Sequence, residues 1–209
     1  MIEELRKYIE TTIYKEYQKN DKGHDINHIK YVTDRCLELS KNNDVDFNVL
    51  YVAAAYHDIG HHINPKEHEI ISARIMYNDL NLRKYLSNEN IDIIKEAIEE
   101  HRASSNHIPR SIYGKILASA DRNINVDIYL NRTYNYTKNH NKDLSFNEIM
   151  EKSYKHMIDK YGKNGYAKSY IIDDKYKQFL KDIDYLINNK KEFINRYKKN
   201  IGVSGNNDL

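Results

Sequence analysis

The chain has 209 residues, 40% of them hydrophobic and 31% charged, with a formal net charge of +2. That length suits one domain, or a domain with an extension, and allows a real core. The near-neutral balance makes no case for a nucleic acid or an anionic membrane as partner, and no apolar run approaches the ~20 residues of a membrane span.

In chain order, the start Met1-Ile2-Glu3-Glu4 lacks the basic residues and apolar stretch of a signal peptide, so a cytoplasmic location is expected. Residues 2–20 form a helical pattern with Leu5, Ile9, Ile13 and Tyr17 every four residues. Asn20-Asp21-Lys22-Gly23 breaks it. Asp25 then caps a helix over 26–42, with Ile29, Val32, Cys36 and Leu39 inward and His28 in its first turn. Cys36 is the only cysteine; it excludes an internal disulfide, fits a reducing compartment and reads as a packed thiol. A third helix over 46–60 is apolar nearly all round, as expected of a central helix.

After a break from Gly60 to Pro65, helices follow over 66–79, over 88–102 behind a Ser87 cap, and from Ile112 behind a Ser111 cap towards residue 138. The character shifts at Asn139 to Lys142. Ser145 with Glu148 makes a capping box, and Gly162 or Gly165 ends that helix. Asp173 or Asp174 caps a last helix reaching residue 199. Seven glycines and two prolines are few, and period-two alternation is missing throughout. The expected fold is therefore all-α: a helical core over 1–140, a helical extension over 141–200 packed on it, and a disordered tail over 201–209.

One run stands out: Ala53-Ala54-Ala55-Tyr56-His57-Asp58-Ile59-Gly60-His61-His62. Three small residues allow close packing, which puts an imidazole and a carboxylate where both are costly unless paired. A divalent cation pairs with both, because it takes nitrogen and oxygen ligands together. Further candidate ligands fall on separate helices: His28, His68, His101 and Asp121. Consecutive residues on a helix point about 100° apart, so His57 and Asp58 are not expected side by side. They can still converge on one cation between packed helices, or Asp58 can bridge two. Mixed nitrogen and oxygen ligation suits Mn²⁺, Fe²⁺, Co²⁺, Ni²⁺, Zn²⁺ or Mg²⁺, as one ion or two.

His28, the His57-Asp58 doublet and Asp121 resemble the H…HD…D signature of the HD-domain metal-dependent phosphohydrolases. Gly23-His24-Asp25-Ile26-Asn27-His28 resembles their GHDxxH opening, Ala54-Ala55-Tyr56-His57-Asp58-Ile59-Gly60 their AALLHDIG, and Ala118-Ser119-Ala120-Asp121-Arg122 their closing DADR or SADK. The resemblance covers residues 20–130. It implies an all-α fold and a metal held by His28, His57, Asp58 and Asp121, with His57 and Asp58 at the catalytic centre. A subset of the family holds a second metal with two extra histidines, and His68 and His101 sit where those occur. In this they resemble the HD-GYP cyclic-dinucleotide hydrolases and the bacterial symmetrical diadenosine-tetraphosphate hydrolases. The Gly-Tyr-Pro element of the former is missing, which argues against cyclic di-GMP. His61 stands where a lysine often follows HDIG.

The implied activity is hydrolysis of a phosphate ester or phosphoanhydride of a nucleotide or other small phosphorylated metabolite, by attack of metal-activated water. The alternative is a non-hydrolytic regulatory module that binds a nucleotide in the same metal pocket. Arg122, Arg102 and Lys66 are the cations expected on phosphate. His24 and Asp25 are expected to orient His28, and His61 and His62 to lie at the rim. The expected partner is a small phosphorylated molecule, with no nucleic acid and no membrane, and self-association stays open.

Overall fold

A computed structural model describes residues 1–105 and 107–202, which form helices and connecting turns with no strand among them. Helix dominates because the apolar residues recur every three or four positions and good caps stand at the breaks. The chain divides into two compact units, Met1–Arg122 with Ser169–Ile171, and Asn123–Lys168 with Ile172–Leu209. Of the tail expected to be disordered, residues 203–209 lie outside the described residues.

The first unit begins with α1 (Glu3–Tyr8), a π-helical stretch (Ile9–Ile13), α2 (Tyr14–Glu16) and a 3₁₀ turn (Tyr17–Lys19). It continues with α3 (Ile26–Ser40), α4 (Phe47–Tyr56), α5 (His68–Tyr77), α6 (Asn88–Glu99) and α7 (Ile112–Ala120). The expected caps are in place. Asp25 accepts from the backbone N–H groups of Asn27 and His28, Ser87 from that of Asn90, and Ser111 from that of Gly114. Each such cap contributes about 1 kcal/mol.

Helix α4 is central. Val49 through Tyr56 are all buried, and Leu50, Val52, Ala53, Ala54 and Ala55 have no exposed surface. Around them pack Leu5, Ile9, Ile29, Val32, Cys36, Met76, Ile94, Ile98, Ile116 and Leu117. Truncating one such Leu or Ile to Ala costs about 2–5 kcal/mol, because the cavity adds to the lost transfer energy. The buried Tyr17 hydroxyl donates to the Ala55 carbonyl at 2.8 Å, which caps one of the last orphan acceptors of α4. Ser119 pins a returning strip of chain: its Oγ accepts from the backbone N–H groups of Tyr170 and Ile171, both at 2.9 Å, and donates to the Lys115 carbonyl.

The second unit consists of α8 (Val126–His140), α9 (Phe146–Tyr161), α10 (Asp174–Asn188) and α11 (Lys190–Ile201). The capping box of Ser145 and Glu148 is present, Gly162 ends α9, and Asp173 caps α10. Val126, Tyr129, Leu130, Met157, Phe179, Ile183, Phe193 and Tyr197 fill its core. Tyr197 and Ser153 join their hydroxyls at 2.8 Å, and Tyr154 donates to the Ile187 carbonyl at 2.6 Å.

Two long helices expected from the sequence are each two helices. The pattern over 112–138 breaks after Ala120, because Asn125 accepts from the backbone N–H groups of Asp127 and Ile128 and starts α8 afresh. Tyr129 and Leu130 then belong to the second core, so the compact units divide after Arg122 and not near residue 140. The last helix likewise breaks at Asn189, whose ψ of 73° is not helical.

Candidate metal centre

Five helix ends of the first unit bring the candidate ligands together. Asp25 starts α3 so that His28 falls in its first turn. Helix α4 stops at Tyr56, which makes His57 its C-cap and puts Asp58 in the following turn. His68 opens α5, His101 lies just past α6, and Asp121 is the C-cap of α7. The C-termini of α4, α6 and α7 present carbonyl ends here and the N-termini of α3 and α5 present N–H ends, so the partial negative charges outnumber the positive by three to two.

Two small features set this geometry. Gly60 lets the turn after Asp58 press on α5: a Cβ there would lie 2.7 Å from Ile71 Cγ2, and its N–H donates to Ser72 Oγ at 2.9 Å. Asn20 is a staple that the sequence did not reveal. Its Nδ2 donates to the carbonyls of His24 (3.0 Å) and Asp58 (2.9 Å), and its Oδ1 accepts the N–H of His62 (3.1 Å).

The Asp58 carboxylate sits at the middle, 2% exposed. Its Oδ2 is 3.1 Å from His57 Nε2 and 3.4 Å from His28 Nε2, while Oδ1 is 3.3 Å from His68 Nε2 and 3.7 Å from His101 Nε2. Asp121 Oδ1 joins the first side, 3.1 Å from His28 Nε2 and 4.0 Å from His57 Nε2. His57 and Asp58 thus do face each other, against the expectation for consecutive helical residues, because the helix has ended before them. All six residues expected as metal ligands converge. His28, His57 and Asp121 form one group able to hold an ion, and His57, Asp58 and His101 another.

The hydrogen bonds behind three of the rings place one proton on each. Nδ1 of His57 faces the Ala54 carbonyl at 2.8 Å, that of His68 the Pro65 carbonyl at 3.0 Å, and that of His101 the Ile98 carbonyl at 2.6 Å. A carbonyl only accepts, so each Nδ1 is an N–H, and each ring, once neutral, turns a bare Nε2 lone pair inward. Yet His68 and His101 set those lone pairs 3.3 Å apart, and His57 and His28 set their Nε2 atoms 3.4 Å apart, all beside carboxylate oxygens. Lone pairs facing lone pairs repel. A cation between them turns the repulsion into ligation, so the donor set fits a divalent metal ion.

The electrostatics agree. Burial opposes charging His57, but the adjacent Asp58 charge and hydrogen bond, with Asp121, outweigh it and raise its pKa to about 9. Burial also opposes ionising Asp58 and Asp121, and the surrounding imidazoles again prevail, holding both below the usual carboxylate range. One buried and one partly buried carboxylate stay negative here and call for positive charge.

The three expected phosphate cations fare differently. Arg122 is 3% exposed; it donates to Asp121 Oδ2 at 3.4 Å and to the His101 carbonyl at 3.3 Å, so it holds two ligand segments in position instead of reaching outward. Arg102 is half-buried and engaged with the Lys66 carbonyl and the Glu69 carboxylate. Lys66 is exposed beside it. Of the rim histidines, His62 is exposed, but His61 is buried and faces His24 and His68.

Residues 25–125 match the family model of the HD domain. A solved structure from an uncultured Thermotogales bacterium, described as a predicted HD superfamily hydrolase, aligns with a TM-score of 0.53 at 20% identity. The alignment covers 96% of this chain and 93% of that one. A search of curated proteins finds no match. The class is thus an all-α protein with a cluster of imidazoles and carboxylates at its helix ends. Over residues 25–125 the chain is similar to the HD domain, and the doublet His57-Asp58 lies within that stretch.

Proposed function

We propose that this protein is a metal-dependent phosphohydrolase cleaving a phosphate ester or phosphoanhydride of a nucleotide or other small phosphorylated metabolite. One observation carries the reading: two pairs of imidazole Nε2 atoms approach the opposite oxygens of a single buried carboxylate, Asp58. That arrangement suits two ions sharing Asp58, one on His28, His57 and Asp121, the other on His68 and His101. Bound divalent ions supply Lewis acidity to phosphoryl oxygens and make a water nucleophilic near neutral pH.

The chain's own residues do the rest. His57, Asp58 and His101 are sealed below, with side chains 0%, 3% and 1% exposed, while Asp121 (22%) and His68 (12%) border the open side. Substrate therefore approaches over Asp121 and His68. Lys66 and Arg102 stand by His68 and offer positive charge to phosphate, and Glu69 holds Arg102 in place. Arg122 keeps Asp121 aimed at the imidazoles.

The test is a screen of nucleotides, dinucleoside polyphosphates and simple phosphate esters with Mn²⁺, Co²⁺, Ni²⁺ and Mg²⁺. Hydrolysis that disappears in Asp58→Ala is the expected result. Hydrolysis undiminished in that variant overturns the reading, and tight nucleotide binding without turnover would replace it with the regulatory module.

A further inference from the structure

Outside the centre, one cluster of metal-ligating side chains is left over among the described residues. Asp21, His24 and His61 offer three ligand atoms that all lie within 4.8 Å of one another. His24 Nδ1 is 3.0 Å from Asp21 Oδ1, and His61 Nδ1 is 3.7 Å from Asp21 Oδ2, so both imidazoles turn the same nitrogen to opposite oxygens of one carboxylate. The two rings stack, 3.7 Å between centroids and 20° apart in plane. Two like-oriented imidazoles and a carboxylate on one side form a three-ligand face, the other side being left to solvent by the exposed Asp21.

The cluster is built, not incidental. Its residues come from two turns, one before α3 and one after α4, which the Asn20 side chain binds together through the carbonyls of His24 and Asp58 and the N–H of His62. Asp21 is fixed in its own turn by the N–H of Gly23 on Oδ1, at 2.7 Å. His61 is buried with its ring set, where a rim histidine would swing in solvent. The cluster also continues the centre. Ring centroids run from His24 to His28 (5.8 Å), His57 (5.3 Å), His101 (5.0 Å), His68 (5.2 Å), His61 (5.3 Å) and back to His24, a closed circuit of six imidazoles.

We propose that Asp21, His24 and His61 form a further binding site for a divalent transition-metal ion, distinct from the ions held on Asp58. Its ligand set of two nitrogens and one oxygen selects a borderline ion such as Co²⁺, Ni²⁺ or Zn²⁺ over Mg²⁺ or Ca²⁺. With one ligand exposed and open positions facing water, this ion exchanges more readily than those of the centre. The inference requires no turnover and stands apart from the phosphohydrolase reading.

The experiment is equilibrium dialysis of the full chain against Co²⁺, with elemental analysis, for wild type, Asp21→Ala, His24→Ala and His57→Ala. The expected result is one equivalent fewer in both Asp21→Ala and His24→Ala, with the equivalents that His57→Ala removes still present. Equal uptake by wild type and both variants overturns the site. So does a loss in Asp21→Ala or His24→Ala of the same equivalents that His57→Ala loses, since that describes a single centre. Crystals soaked in Co²⁺ give a check independent of variant folding: an anomalous peak between the His24 and His61 Nδ1 atoms supports the site, and peaks only around Asp58 overturn it.

Discussion

Two buried polar clusters, one in each unit, are put together to opposite ends. In the second, Ser153 and Tyr197 close their hydroxyls on each other, and Tyr154 closes on a carbonyl. These bonds need nothing from outside the protein. In the first, His28, His57, His68 and His101 turn their Nε2 atoms towards one another and towards Asp58, an arrangement that a proton or a metal ion completes. A buried polar group satisfied within the chain stabilises the fold. One whose partner is missing marks a place where the chain expects a ligand.

The sharpest way to break this contrast is Asp58→Ala. It removes the carboxylate common to both sides of the centre, and the expected outcome is loss of hydrolysis by roughly a thousandfold or more, the scale of losing an essential catalytic group. Steady-state rates at saturating Mn²⁺ check it. In the other unit, Phe193→Ala opens a cavity worth about 3–5 kcal/mol of stability, while the folded protein retains its metal. Denaturant melts with metal analysis separate the two effects.

Chelation is the next largest effect. An ion at a hundred times its Kd contributes about 2.7 kcal/mol, so stripping it should raise hydrogen exchange in the segments around 57–68, 98–101 and 117–122. Protection over 174–201 is expected to stay. Equal loss in both regions would show that the units do not differ as argued.

A proton competes for the same position. His57, with its pKa raised to about 9 from 6.5, is charged in the metal-free protein at pH 7 and must lose that proton to ligate. Metal affinity should therefore rise from pH 7 to 9 by up to about 1.4 kcal/mol per pH unit for one proton released. Titration calorimetry in buffers of different ionisation enthalpy counts that proton. The sign reverses for the stability of the chelated protein. The raised pKa stabilises it fully below pH 6.5, and that contribution fades as pH climbs towards 9. The smallest expected effect is Tyr197→Phe, which forfeits one hydroxyl pair for about 1 kcal/mol and leaves metal binding untouched.

Much of the centre is legible in residue types alone. His28 behind a capping Asp25, a charged doublet after three alanines, and Asp121 after Leu117 and Ala120 are polar groups where apolar residues would be cheaper. Helix ends were harder to read. The apolar spacing runs unbroken across 112–138, and only the Asn125 cap, a competition between side chain and backbone, reveals that one helix stops at Ala120. Arg122 looked like a phosphate ligand because it is a cation beside Asp121. Its burial against the His101 carbonyl is a product of how α6 and α7 end, which spacing does not encode. The roles of Asn20 and Asp21, and the burial of His61, were illegible for a related reason. Their partners lie about 40 residues away across two turns, and turn residues carry no periodicity from which to infer a shared face.

The pin at Ser119 has a consequence for the order in which the molecule can be made. Its oxygen waits for the N–H groups of Tyr170 and Ile171, which leave the ribosome only after the whole of segment 123–168. The unit that carries the centre is thus translated first but finished late. A chain cut after Arg122 would be a nascent version of that unit, lacking its closing strip, instead of a trimmed but finished one.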